Sequence, residues 1–185
     1  GFSLSAIGKP IYRDSFEPLI PGFTHEPPMN DLEAVKRIAG ADTAAIILEL
    51  VQGEAGIFVA EQKFLEGLRK ICDERGILLI FDEVQTGFGR TGKMFCCEHY
   101  GVTPDIMTTA KSLSGSVYPI SAVIFNDRAR KFMEANPDMI VSTFGGGDLA
   151  CVVGLKAIEF LEQNNIPRHA AEMGDYIGGA ILKLV

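Results

Sequence analysis

Leu78-Leu79-Ile80-Phe81-Asp82-Glu83-Val84-Gln85-Thr86-Gly87-Phe88-Gly89-Arg90-Thr91-Gly92 is the stretch on which the reading of this chain turns. With Ile77, its first four residues make an apolar run suited to a strand buried on both faces of a sheet. The run ends on an acid, Asp82, and passes into a glycine-rich loop. Downstream, a second short run, Ile106 to Thr109, leads into Ala110-Lys111-Ser112-Leu113-Ser114-Gly115, a lysine among small and hydroxyl residues.

Ligands of open α/β sheets bind at the carboxyl ends of the strands, where Asp82 falls. A buried carboxylate is costly unless a cation or hydrogen-bond donor meets it, and a protonated pyridine nitrogen is such a partner. A lysine amine attacks carbonyls when it is partly desolvated and deprotonated. Ala110, Ser112 and Gly115 leave room beside Lys111 for a flat cofactor. A lysine Schiff base with an acid on the ring nitrogen is the arrangement of pyridoxal 5'-phosphate (PLP) sites. Spacing alone leaves two plainer readings open, a solvated surface lysine and an aspartate that caps a turn.

The segment from Leu79 to Gly92 resembles the signature of the class III, or ω-, aminotransferases, PLP enzymes of fold type I. Glu49-Leu50-Val51-Gln52-Gly53-Glu54-Ala55-Gly56 resembles the EPxQGExG stretch of that family, Ala110 to Gly115 its lysine motif, and Ser142-Thr143-Phe144-Gly145-Gly146 its STxGG motif. All four stand in family order. The resemblance implies a transaminase that moves an amino group from an amino acid or ω-amine to a 2-oxo acid through a Schiff base on Lys111. It further implies that Asp82 keeps the pyridine nitrogen protonated, that Gln85 bonds the ring hydroxyl and that Val84 packs on the ring. By the same resemblance Thr143 binds the cofactor phosphate, in the family usually from the partner subunit, which implies a homodimer with sites at the interface. Glu49 resembles an acid that contacts the Gln85 position. Glu54 resembles one that gates a carboxylate-binding arginine, with a solvated loop acid as its other reading. Gly87, Gly89 and Gly92 are read as serving backbone geometry, Arg90 as a structural hydrogen-bonding residue, and Tyr118 as a wall of the site.

The rest of the 185 residues reads as an α/β domain with a mostly parallel sheet flanked by helices. Pro10 to Asn30 has five prolines and reads as meandering chain. Asn30 caps a predicted short helix to about Ala39. Thr43 to Val51 and Ile77 to Phe81 are predicted buried strands around a helix from Glu61 to Arg75, closed by Gly76. That order implies a right-handed parallel crossover. A short helix is predicted over Met94 to Tyr100, and strands over Ile106 to Thr109, Ile120 to Phe125 and Ile140 to Ser142. Asp127 is expected to cap a helix to about Ala135. A long helix from Asp148 to Asn164 is predicted to turn Leu149, Val152, Val153, Leu155, Ile158 and Leu161 inward, and one from Pro167 to be still running at Val185.

The net charge of -7 argues against nucleic-acid and anionic-membrane partners. No apolar run reaches transmembrane length, and no signal peptide is visible. Cys72, Cys96, Cys97 and Cys151 lack metal-ligand spacing and read as reduced thiols of a cytoplasmic protein. Leu50 stands where the family usually has Pro, and Gly147-Asp148 where Asn-Pro is common. The family's phosphate loop, its stacking aromatic residue and its substrate-carboxylate arginine have no counterpart here. The chain is therefore expected to be an internal fragment, with 1–165 a partial PLP-binding, aspartate aminotransferase-like large domain, incomplete at both ends. Residues 166–185 would start the helical connection to a C-terminal small domain. The alternatives are a truncated, non-catalytic fragment, or a class III aminomutase, racemase or decarboxylase.

Overall fold

The computed structural model describes residues 2–25, 28–139 and 141–184. Two short helices open it, α1 (Phe2–Ala6) and α2 (Pro10–Arg13), the second continuing as a 3-10 turn over Asp14–Phe16. Pro10 stands in the first turn of α2, where its fixed φ suits a helix and its missing N–H is not needed. The predicted meander is thus confined to the stretch after Phe16, of which Glu26 and Pro27 lie outside the described residues.

The cap of α3 (Leu32–Ile38) is Asp31, whose carboxylate accepts from the Ala34 N–H at 2.8 Å. Asn30, the predicted cap, is instead left-handed at φ 73°, and its carboxamide ties down the Val59 carbonyl and the Glu61 N–H. The predicted strand from Thr43 to Val51 divides at the buried Leu50. Before it lies β1 (Ala45–Glu49), and after it β2 (Val51–Gln52) pairs antiparallel with β3 (Phe58–Val59). Next, α4 (Gln62–Arg75) buries Phe64, Leu65, Leu68, Ile71 and Cys72 on one face. Gly76 ends α4 at φ 73°, a conformation that costs glycine little, and its N–H returns to the Cys72 carbonyl.

β4 (Leu78–Asp82), β5 (Ile106–Thr109) and β6 (Ala122–Phe125) complete a four-stranded sheet ordered β1-β4-β5-β6. β1, β4 and β5 run parallel, and β6 is antiparallel to β5. Leu79 and Phe81 are fully buried in a core shared with α3 and α4. The opposite face is open: Ile47, predicted to lie in a buried strand, and Val123 of β6 are each about half exposed. The helix predicted around Met94 to Tyr100 is a 3-10 turn over Cys96–His99.

Asp105, just before β5, fastens several elements together. Its N–H and carboxylate bond both backbone groups of Leu79 at 2.8 Å, its carboxylate also accepts from the Asn126 carboxamide at 2.8 Å, and Arg69 of α4 pairs with it at 3.0 Å. Burial opposes its ionisation, yet the Leu79, Asn126 and Arg69 donors prevail and hold its carboxyl below the ordinary value. Asn126 also caps α5 (Asp127–Ala135), accepting from the N–H groups of Arg128 and Ala129, the role the sequence assigns to Asp127.

Of the brief strand predicted over Ile140 to Ser142, Ile140 lies outside the described residues, and Val141 and Ser142 have no regular structure. α6 (Asp148–Gln163) seats Gly154 against Leu113 and Ile120. Val153, Ile158 and Leu161 are half-buried, but Leu149, Val152 and Leu155, predicted inward, are exposed because no other described element covers that flank. α7 (Ile166–Ile181) stops short of the chain's end, whereas the sequence predicts a helix running through Val185, itself outside the described residues.

Candidate active site

The three parallel strands end level with one another. Register pairs Glu49 with Asp82 and Asp82 with Thr108, so two carboxylates and a hydroxyl form a row across the carboxyl edge of the sheet. Asp82 is half-buried; one of its oxygens accepts from the Val84 N–H at 2.9 Å, and the other has no partner among the described residues. Glu49 is also half-buried. Burial pushes its carboxyl above the ordinary value, and Asp82 and Glu54 add to the rise. A hydrogen bond from the Gly53 backbone and the charge of Lys111 pull the other way without prevailing.

Lys111 leaves β5 at φ 46° and opens a 3-10 turn over Lys111–Ser114. Such a φ is uncommon for a side chain with a Cβ and persists only where the surroundings impose it. Here the Ser114 hydroxyl donates to the Lys111 carbonyl, the Gly115 N–H bonds the Ser112 carbonyl, and Leu113 is buried beneath. The lysine amine has no ion pair or hydrogen bond among the described residues. It opens on a cavity of about 750 Å³ that it shares with Gly53, Gln85, Thr86, Arg90 and Ser112. Gln85 runs so close to Gly53 that a Cβ there would lie 2.0 Å from the Gln85 Oε1, so only glycine allows this side-chain path.

The structure therefore brings Lys111 and Gln85 into one cavity; Glu49 and Asp82 stand at neighbouring strand ends with Val84 just after, and none of these three lines the cavity. Other predicted residues stand apart. Thr143 is exposed in a turn and does not line the cavity, and Glu54 is exposed with its carboxylate 3.9 Å from the Lys9 amine. Tyr118 is partly exposed and lines no part of the cavity, so it is not the predicted wall. Arg90 lines the cavity with no hydrogen-bond partner for its side chain among the described residues, contrary to the structural bonding role read from sequence. Gly89 and Gly92 pass against Pro167 and Ala171 of α7.

Glu83 went unassigned in the sequence. It is fully buried, and its carboxylate accepts from the Thr86 hydroxyl at 2.7 Å, the Cys96 N–H at 2.9 Å and the Cys97 N–H at 2.8 Å. The available signal was strand alternation, which turns Glu83 inward if Asp82 faces the site. Burial, with the Glu83 charge adding to it, pushes the thiols of Cys96 and Cys97 up to about 11 and about 12. Among the described residues no group of three His, Cys, Asp or Glu is placed to hold a metal, and no helix is long and apolar enough to cross a membrane.

These residues fit PLP. Among the described residues, an unpaired amine faces a cavity roomy enough for an aromatic ring, a carboxylate at the strand edge has an unused oxygen for a ring N–H, and the Gln85 amide shares the cavity with the amine. Fold and site together define the large domain of a PLP-dependent transferase. The family model described as aminotransferase class-III matches residues 2–184. The chain is 46% identical over 181 residues to a putrescine aminotransferase of Pectobacterium atrosepticum, covering 95% of this chain and 38% of that protein. It is 46% identical over 184 residues to an uncharacterized aminotransferase of Archaeoglobus fulgidus, covering 100% of this chain and 43% of the relative. The ornithine aminotransferase of Toxoplasma gondii, whose crystal shows PLP at partial occupancy in the active site, superposes with a TM-score of 0.90 at 32% identity, over 98% of this chain and 42% of that one. The chain belongs to the class-III aminotransferases, which are PLP-dependent, and it spans about two-fifths of the length of these relatives.

Proposed function

We propose that the protein carrying this chain is a PLP-dependent aminotransferase, moving an amino group from an amino acid or ω-amine to a 2-oxo acid. The observation that carries the reading is the unpaired Lys111 amine in a cavity shared with Gln85, beside the Asp82 strand end, in a chain of this family. When bound, PLP supplies an electrophilic carbonyl and an electron-withdrawing ring. Lys111 Nζ would hold the cofactor at that carbonyl and would be the group placed to carry a proton at the substrate carbon that bears the nitrogen. The free oxygen of Asp82 would face the ring nitrogen and favour its protonated form. Gln85 would hold the ring hydroxyl, and Val84 would pack against the ring. Glu49 steadies the turn at Gly53 over which Gln85 passes. Glu54, now facing Lys9, gates the entrance.

Thr143, exposed and outside its own cavity, serves the phosphate in the site of a second copy, and the protein is a homodimer. Residues 1–165 belong to the cofactor-binding domain, and 166–185 begin the connection to the next. Support for an ω-amine donor comes from relatives named for putrescine and ornithine, both primary amines at the end of an alkyl chain.

Addition of PLP to the purified protein should produce a visible absorption band. Borohydride should fix the cofactor on Lys111, as located by mass spectrometry. Lys111→Ala should abolish both the adduct and amino-group transfer between an ω-amine and a 2-oxo acid. An adduct scattered over surface lysines, or transfer retained in Lys111→Ala, would sink the reading. Parallel assays of decarboxylation and racemisation separate it from other PLP reactions.

A further inference from the structure

Asp82 and Glu83 are adjacent acids with opposite surroundings. Asp82 is half-buried with one oxygen unpaired among the described residues, and Glu83 is turned into the protein with no exposed surface. Every donor around the Glu83 carboxylate comes from one loop, the Thr86 hydroxyl at its start and the N–H groups of Cys96 and Cys97 at its end. The backbone of Glu83 is tied on both sides as well: its N–H donates to the Thr108 carbonyl of β5 at 2.9 Å, and its carbonyl accepts from the Gly87 N–H at 2.9 Å. Within the loop, Phe88 and Phe95 meet edge to face with ring centroids 5.4 Å apart, so the loop has a packed interior of its own.

The elements joined in this way are those that build the cavity. β4 ends in Asp82, β5 leads into Lys111, and the loop supplies Thr86, Arg90 and Thr91 to the wall. Gln85 lies between two anchored points, the Asp82–Val84 hydrogen bond and the Glu83–Thr86 hydrogen bond. We infer that Glu83 is a positioning residue of the active site: its buried carboxylate closes the 86–97 loop onto the ends of β4 and β5 and so sets where Asp82 and Gln85 stand. The inference rests on the PLP reading above. A carboxylate can accept all three of these hydrogen bonds at once, whereas an amide has one acceptor oxygen and presents donors to the rest. Glu83→Gln therefore leaves at least one loop donor facing another donor. The loop then moves away from the strand ends, taking Gln85 with it.

The test uses the PLP-loaded protein and reads the affinity for PLP and the pH midpoint of its visible band. Glu83→Gln is expected to weaken PLP binding on the order of tenfold to a hundredfold, the scale on which losing a hydrogen-bond partner that orients a site group weakens a site, and to move the midpoint. Thr86→Val removes one of the three hydrogen bonds, and a smaller change in the same direction is expected, so the inference stays testable even if Glu83→Gln does not fold. Ile71→Val, a core change in α4 that touches none of the Glu83 hydrogen bonds, serves as the control: it should lower the melting temperature and leave the band midpoint where it was. In the apoprotein, labelling of Cys96 and Cys97 should quicken in both loop variants and not in the control. If Glu83→Gln and Thr86→Val melt earlier but keep wild-type PLP affinity and midpoint, Glu83 is a stability residue alone and the inference is overturned. If the wild type itself forms no band, the PLP reading fails, and this inference with it.

Discussion

Glu49 is a residue whose charge works against the fold. It is half-buried, and its register partner on the next strand is another carboxylate, Asp82. Its folded pKa lies above the ordinary glutamate value of 4.5 for those two reasons, burial first. The sign of the effect on stability follows: the folded state holds this proton more tightly than the unfolded chain does. The site costs nothing while both states are protonated, and stability is lost as the pH rises through the raised folded value. Glu49→Gln should therefore stabilise the cofactor-free protein at neutral pH by a few tenths to about 1 kcal/mol, a figure discounted for the partial exposure of the group. The advantage should vanish below about pH 4. Urea midpoints measured across that range check it, and an advantage that persists into acid would show that charge is not its cause.

Among the elements, Asp105 carries the opposite sign. Its folded pKa lies below the ordinary 3.8, so its stabilising effect is fully present above that value and is lost as the pH falls through the folded one. Asp105→Asn breaks the pair with Arg69 and should cost about 3 kcal/mol at neutral pH. It should also flatten the acid limb of the stability curve, as read by chemical denaturation. This junction was not visible in the sequence, because its partners come from α4, β4 and the β6–α5 link. What could be read was local: the αL glycine at 76, the apolar face of α4 and the limits of β5 follow from periodicity and caps. Both helix starts that were misplaced, Asn30 for Asp31 and Asp127 for Asn126, have two capping residues side by side. Only the tertiary role of Asn30 and of Asn126 separates the members of each pair. Lys111, Asp82 and Gln85 could be singled out because they sit in motifs. Glu83 was not, since its donors at Cys96 and Cys97 lie more than a dozen residues further along the chain.

At the scale of the molecule, two apolar surfaces have no cover among the described residues. One is the sheet face bearing Ile47 and Val123, and the other is the flank of α6 bearing Leu149, Val152, Leu155 and Phe160. Sheets with parallel strands are ordinarily covered on both faces, and apolar patches of this kind mark interaction surfaces. Periodicity identifies the apolar side of α6 but not what covers it, which is why Val153, Ile158 and Leu161 are half-buried as expected while Leu149, Val152 and Leu155 are exposed. The 185-residue chain expressed alone should bind a hydrophobic dye strongly and sediment above its monomer mass. A dye-silent monomer would show that these surfaces close on themselves.

The near-collision between Gly53 and Gln85 ties two distant positions into one inheritable unit. Gly53→Ala alone should displace the Gln85 amide and weaken PLP binding. In a protein already carrying Gln85→Ala, the same change has nothing left to displace and should add little, a non-additivity that a double-mutant cycle measures directly. A side chain at residue 53 is thus accommodated only by the Gln85 amide giving way, and its cost falls away once residue 85 no longer reaches across it.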